Sequence, residues 1–516
     1  MRSKLLSSSI SLLLASSIYA ANITQVQHDS SWYIDAQEKL NSKIKHFNNS
    51  TVKAKNIILF IGDGMGISTV TAARILQGQN KGGFGEENML SFDTFPITGL
   101  SKTYNTNSQT PDSAGTMSAI MTGVKTKKGV LSVSQDSLRA DCKSSEGTRV
   151  TTALELAEDK GMSTGIVSTA RLTHATPAAT YAHTSERGWE NNSKLSKEAL
   201  EYGCKDIAVQ FIEFSYGDGI DVAIGGGRRE FMPRDAKKVE GKRGKRTDGR
   251  DLRLEWQAKY PNGHYVENLE QFNNLPQNTT RLFGLFNPSH MHYESDRKFD
   301  KDGEPSLTQM TKKAIEILRK NNKGYFLMVE GARIDHAHHA GNAYNALHET
   351  IELSNAVALA DKLTNDEDTL IIVTADHSHV FTIAGYPKRG NPILGKVQGT
   401  DEHGLPQTQD TLDANGMPYT TLGYMNGHGF INLGNEHDAN AVEDEPIHTG
   451  HVDIKNINTQ APGYHQEALI PLNNETHAGE DVGIYAKGPG AELLTGVNEE
   501  NFIFHVMQKV GNLIEK

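Results

Sequence analysis

The sequence predicts an α/β fold: a mostly parallel central sheet flanked by helices on both faces, with large loop-rich insertions. Three observations carry that expectation. Short apolar, β-branched runs of strand length recur along the chain, helix-period segments lie between them, and most runs break into a cluster of Asp, Glu, His, Ser or Thr. βα units in series give a parallel sheet, and such sheets bind ligands beyond the carboxyl ends of their strands. The clearest case is YFLMVEGARIDHAHH at 325–339, where an apolar run over 325–329 is followed by Glu330, Asp335, His336, His338 and His339. A buried strand delivering metal ligands accounts for that order.

In chain order, residues 1–20 read as an export signal, with Arg2 and Lys4 before an apolar or small stretch and a cleavage site ending at Ala20. The run NIILFI at 56–61 breaks into Gly62-Asp63-Gly64, a tight turn that leaves one carboxylate at a strand end. Residues 68–76 then read as helix. Thr110-Pro111-Asp112-Ser113 opens a helix whose apolar face is Met117, Ile120 and Met121. Ser113 stands near its first turn, where free amides and the dipole favour an anion. Serine is also a common cap residue, and on this stretch alone capping is the favoured role.

Residues 150–160 form an amphipathic helix and 164–168 a strand, after which come His174 and Thr176, with Arg187 shortly beyond. A guanidinium is shaped to hold two phosphate oxygens, although a single arginine is most often a surface charge. A strand is expected at 220–224. Residues 228–304, polar and loop-rich, read as an insertion over the sheet. Helix returns at 305–322, and a longer one at 343–363 precedes the strand TLIIVT at 369–374, which ends in Asp376-His377-Ser378-His379. Residues 385–464 read as a second insertion, followed by His477, a strand at 482–486 and a closing helix at 501–514.

The 516 residues exceed what one simple core usually holds, so one large domain with insertions, or two domains, is expected; we take 21–516 as one. The net charge of −11 is mild, and no basic block beyond 237–250 argues for nucleic acid as a structural partner. No later stretch has the ~20 apolar residues of a spanning helix, and no hydrophobic tail suggests a lipid anchor. Cys142 and Cys204 permit one disulfide in an oxidising compartment, or two buried thiols.

Carboxylates and imidazoles without cysteine suit Zn2+ and Mg2+. Asp335 and His339 are four apart and can chelate one ion; Asp376 and His377 can serve a second. Two zinc ions about 4 Å apart hold the attacking and leaving oxygens of an in-line phosphoryl displacement. Ser113 would attack, activated by coordination, and Arg187 would neutralise the remaining phosphate oxygens.

From about Asn56 to Val510 the chain resembles the alkaline phosphatase family, through IGDGMG, TPDSAGTM, HATPAATYAHTSER, VEGARIDHAHH, VTADHSHVFTIAGY and NETHAGEDV in that order. The resemblance implies Ser113 as the serine phosphorylated in the reaction, Arg187 as the phosphate-holding arginine and Asp112 as its orienting partner. It implies one zinc on Asp335, His339 and His477, a second on Asp63, Asp376 and His377, and magnesium on Asp63, Thr176 and Glu330. His174 and His336 stand where enteric bacterial enzymes carry Asp and Lys, and there the chain resembles animal and some marine bacterial enzymes. His338 matches no ligand and is expected to pack or support its neighbours.

The resemblance further implies a Cys142–Cys204 disulfide and only part of the calcium site of the animal enzymes. Phe286 and Glu304 match that site and Glu240 matches loosely, but Asn287 replaces a carboxylate. The implied partners are small phosphomonoesters and a second copy of the chain, with residues 385–464 resembling the region that builds the dimer crown, although such insertions equally serve as lids. Competing readings are a related phosphodiesterase, a sulfatase, whose modifiable Cys/Ser-x-Pro-x-Arg motif is lacking here, and an inactive exported metal-binding protein. Export to the periplasm or beyond is expected.

Overall fold

The computed structural model describes residues 22–48, 52–237, 240–435 and 445–514; the export-signal reading of residues 1–20 lies outside them. Strands run in chain order as β1 (Asn56–Gly62), β2 (Ile97–Lys102), β3 (Ser163–Arg171), β4 (Val222–Gly226), β5 (His264–Val266), β6 (Leu282–Leu285), β7 (Tyr325–Gly331) and β8 (Thr369–Ala375). There follow β9 (Ser378–His379), β10 (Phe381–Ile383), β11 (Leu422–Gly427), β12 (Ile431–Asn432), β13 (Tyr464–His465), β14 (Ala468–Pro471), β15 (His477–Ala478), β16 (Val482–Lys487) and β17 (Gly496–Glu499).

Ten of these form the central sheet, in the order β17-β2-β16-β8-β1-β7-β3-β4-β6-β5. All its pairings are parallel except those of β16, which runs against both β8 and β2. That reversal has a consequence for the site. The residues just before β16 arrive at the edge where β1, β3, β7 and β8 end.

β1, β7 and β8 are buried along their whole length, which is why they read as continuous rather than alternating apolar runs. Ile57, Leu59 and Ile61 face one hydrophobic core with the helix Phe502–Gly511, while Ile58 and Phe60 face a second with the helices Leu307–Leu318 and Ala343–Leu363. Side chains alternate across a strand, so one apolar run feeds both layers.

The span 228–304 does not simply lie over the sheet as expected. It contributes β5 and β6, which extend the sheet in parallel beyond β4. Its strands are only three and four residues long and sit among polar loops, which hides them in the sequence. Within 385–464, β11 joins β10 and β14 in a three-stranded sheet and β12 pairs with β13. Cys142 and Cys204 are joined, with Cα atoms 6.0 Å apart.

Candidate metal centre and phosphate site

The parallel register sets the centre. Gly62 pairs with Gly331 on one side and Ala375 on the other, so Asp63 and Asp376 leave the sheet side by side. Glu330 lies one residue earlier on β7, between Ile61 and Ser168. After Asp63 the chain turns through Gly64 at φ +68, where a Cβ would lie 2.3 Å from His379 Nε2, so only glycine fits. Its amide donates to Asp376 Oδ1 at 3.1 Å.

Ser113 begins the helix Ser113–Thr122, but it does not cap it. Asp112 is the cap: its Oδ1 accepts from the Gly115 amide at 3.1 Å and the Gly129 amide at 3.0 Å. The capping role favoured from the local sequence thus falls one residue earlier, and the Ser113 hydroxyl is left for His377 Nε2 at 3.1 Å. The other Asp112 oxygen accepts from Arg187 Nη1 at 3.0 Å, and Arg187 Nη2 lies 3.2 Å from His174 Nε2. One carboxylate therefore fixes both the helix start and the guanidinium.

Asp335, on the short helix Arg333–His339, gathers three imidazoles: Oδ1 is 2.9 Å from His379 Nε2, 3.2 Å from His339 Nε2 and 3.4 Å from His477 Nε2. His339 Nδ1 donates to the Glu475 carbonyl at 2.6 Å, and His477 Nδ1 to the Pro111 carbonyl at 2.9 Å. Each bond fixes the tautomer and leaves the Nε2 lone pair for a cation. Asp63 Oδ1 lies 3.3 Å and Asp376 Oδ2 3.4 Å from His377 Nε2.

Among the described residues, both Asp63 oxygens, Glu330 Oε1, Asp376 Oδ2 and Thr176 Oγ1 are buried without a hydrogen-bond donor. Burial holds Asp63 well above the usual carboxylate range, with Asp335, Asp376 and Glu330 adding to it, and pushes Glu330 up to about 8 and Asp376 to about 6. Packed carboxylates with orphaned oxygens demand positive charge. Two groups at this edge, Asp335 with His339, His379 and His477, and Asp63 with Asp335 and His377, each bring their ligand atoms within 4.8 Å of one another, a carboxylate and imidazole donor set suited to a metal cation.

The residues that the sequence offered for catalysis, phosphate, zinc and magnesium lie at this edge of the sheet, those offered for calcium lie beyond it around β4 and β6, and three others join the first set. His379 was visible as part of a cluster but had no role. Its two ring nitrogens face carboxylates, Asp335 and, at 2.6 Å, Glu475 Oε2. Although burial opposes the charge, those carboxylates raise its pKa to about 10. Glu475 carried no sequence signal beyond its nearness to His477. The His290 ring lies tilted 4.0 Å from that of His336 and edge-on 5.3 Å from that of His174, centre to centre, and His290 bonds to Arg171. His338 points away, to Thr69 Oγ1 at 2.9 Å and the Tyr424 hydroxyl at 2.8 Å.

Comparison with known proteins agrees in sequence and in shape. A family model described as alkaline phosphatase matches residues 54–513. The tissue-nonspecific alkaline phosphatase of Homo sapiens is 45% identical over 485 residues, covering 92% of this chain and 87% of that protein. An alkaline phosphatase of Gadus morhua is 42% identical over 484 residues, covering 92% and 95%. Among solved structures, alkaline phosphatase from Thermus thermophilus aligns with TM-score 0.63 at 24% identity over 91% of this chain and 93% of that one. The enzyme from the Antarctic bacterium TAB5 gives 0.60 at 23% over 90% and 100%; these two support the fold.

Proposed function

The chain belongs to the alkaline phosphatase family and is a phosphate monoester hydrolase, and from that premise we propose that it works through a phosphorylated Ser113. Asp335, His339 and His477 would hold one zinc ion, Asp63, Asp376 and His377 a second, and Asp63, Thr176 and Glu330 a magnesium ion. When bound, the zinc ions would supply Lewis acidity toward the attacking and leaving oxygens, and magnesium further positive charge. Ser113 Oγ forms the bond to phosphorus as the alcohol leaves; water then breaks the phosphoseryl ester and frees inorganic phosphate.

Arg187 holds the non-reacting phosphate oxygens, and Asp112 keeps its guanidinium in place. The amides at the start of the helix Ser113–Thr122 add their own partial charge. His174, 3.2 Å from Arg187 Nη2, and His336, whose ring centre is 5.5 Å from that of His174, would help to position phosphate through Arg187. The single observation that carries this reading is the position of Ser113 Oγ. It lies 3.1 Å from His377, beside carboxylates whose buried oxygens have no donor.

The test is hydrolysis of p-nitrophenyl phosphate beside the bis-ester and the sulfate at alkaline pH, before and after chelation and with Zn2+ and Mg2+ restored. Monoesterase activity that vanishes on chelation and returns with both metals is expected. Preference for the diester or the sulfate would overturn the substrate class, and no turnover by the metal-loaded protein would favour the binding-protein reading.

Small exported phosphomonoesters are the proposed substrates. Export is supported by the Cys142–Cys204 disulfide. Among the described residues no helix is long and apolar enough to cross a membrane. Pairing with a second copy is supported by apolar side chains left at the surface around the 385–464 insertion, Tyr386 at 97% and Leu469 at 73% exposure.

A further inference from the structure

The residues matching the animal enzymes' calcium site can be tested for fit by asking what their oxygens already bind. Arg228, almost fully buried just after β4, reaches two of them. Its Nη2 donates to the Phe286 carbonyl at 2.9 Å and its Nη1 to Glu240 Oε1 at 3.0 Å. The same guanidinium also donates to the carbonyls of Leu285 at 2.9 Å and Glu267 at 3.0 Å. A fixed positive charge therefore stands between the two oxygens that calcium would bridge.

Glu304, also buried, is equally committed. Its Oε1 accepts from Asn287 Nδ2 at 2.7 Å and from His292 Nδ1 at 3.0 Å, and its Oε2 accepts from the His292 amide at 2.8 Å. Asn287, which stands where a carboxylate would, thus donates toward the site rather than accepting. Asp300, His292 and Glu304 each bring one possible ligand atom within 4.8 Å of the others, but His292 Nδ1 and Glu304 Oε1 already bond to each other and Asp300 Oδ1 takes the Asp302 amide at 3.2 Å. Calcium takes six to eight oxygens at about 2.3–2.6 Å and weakens as carboxylates are lost. The donor set does not fit it.

We infer that this chain has no structural calcium site, and that Arg228, Asn287 and His292 hold together by hydrogen bonds and charge what the cation ties together in its relatives. The arrangement adds side-chain links between the turn after β4, the loop after β6 and the residues leading to the helix Leu307–Leu318, the first two of which are also joined by the β4–β6 pairing. The hydrogen bond to Glu304 raises the His292 pKa above its ordinary value, which is consistent with an ion pair.

The experiment uses the holoenzyme with zinc and saturating magnesium in place, compared in calcium-free buffer and with added CaCl2. Bound calcium is measured by equilibrium dialysis and stability by thermal midpoint. No saturable binding up to about 1 mM and an unchanged midpoint are expected. Asn287→Ala and His292→Ala should each lower the midpoint by several degrees, equally with and without calcium, while phosphatase activity at moderate temperature stays unchanged. Saturable calcium binding that raises the midpoint and is lost in Glu304→Gln would overturn the inference. So would midpoints untouched by both alanine variants. Neither readout depends on turnover, so failure here is separable from failure of the catalytic reading.

Discussion

Two of the carboxylate groups in this molecule differ in one respect. At the ends of β1, β7 and β8, Asp63, Glu330 and Asp376 carry oxygens that meet no donor. Around β4 and β6, every Glu304 oxygen is matched by an N–H, and the exposed Glu240 is paired with Arg228. Burying a charge is costly unless it is paired. The first group is built to receive cations and the second to do without them. Carboxylate count alone does not make a metal site; what decides is whether the protein's own donors have already claimed the lone pairs.

The contrast should break most visibly in activity. In the metal-loaded enzyme Ser113→Ala, at the edge of the unmatched group, should lower kcat/KM for p-nitrophenyl phosphate by at least ~10³-fold. Glu304→Gln should leave it within about threefold, since that group touches no reacting atom. Comparable losses from both would dissolve the distinction.

Glu475→Gln probes the support of the unmatched group. Its Oε2 holds His379 against Asp335, and its Oε1 takes the Val380 amide at 2.8 Å. Loss of that carboxylate should weaken zinc binding by about 10- to 100-fold in chelator competition. Affinity equal to wild type would show that His379 is held well enough by packing.

The same chemical change should then have opposite signs in the two groups. In metal-stripped protein Asp63→Asn removes one of several crowded carboxylates and should raise the thermal midpoint. Glu304→Gln replaces one of two accepting oxygens by an N–H that faces the donors of Asn287 or His292 and should lower it. Matching signs would show that orphaned oxygens are not what distinguishes the groups.

The smallest effect concerns a third way of burying a carboxylate, which is to keep its proton. Glu158 accepts from Thr164 Oγ1 through one oxygen while the other has no partner. Burial pushes its pKa from the ordinary 4.5 up to about 8. Because the folded pKa is raised, its contribution is full below the unfolded value and is lost as pH climbs through the folded one. Midpoints of the metal-loaded enzyme should decline from pH ~5 to ~8, and Glu158→Gln should flatten part of that decline. An identical slope in the variant would show that the proton is not held there.

How far the sequence could be read depended on the range of the contacts involved. The strands β1, β7 and β8 were legible because burial on both faces forces an unbroken apolar run, and Asp63, Glu330, Asp335, Asp376 and His377 were legible because they follow those runs directly. β5 and β6 were not, since three or four residues at the sheet's edge carry too little pattern. The cap was misplaced by one residue because Asp112 and Ser113 are both good cap types, and only the amides of Gly115 and Gly129 choose between them.

By itself, then, the sequence determined the α/β class, the strand-end clusters and the residue types that name a metal-dependent phosphoryl-transfer chemistry. These follow from local periodicity and from functional groups a few residues apart. The tertiary structure alone decided that β16 runs backward to bring His477 to the edge where Asp335 waits, and that Glu475 braces His379. It alone decided that Arg228 stands where a cation would fit. Each of these joins residues far apart in the chain, and no local pattern records which distant donor will reach a buried oxygen first.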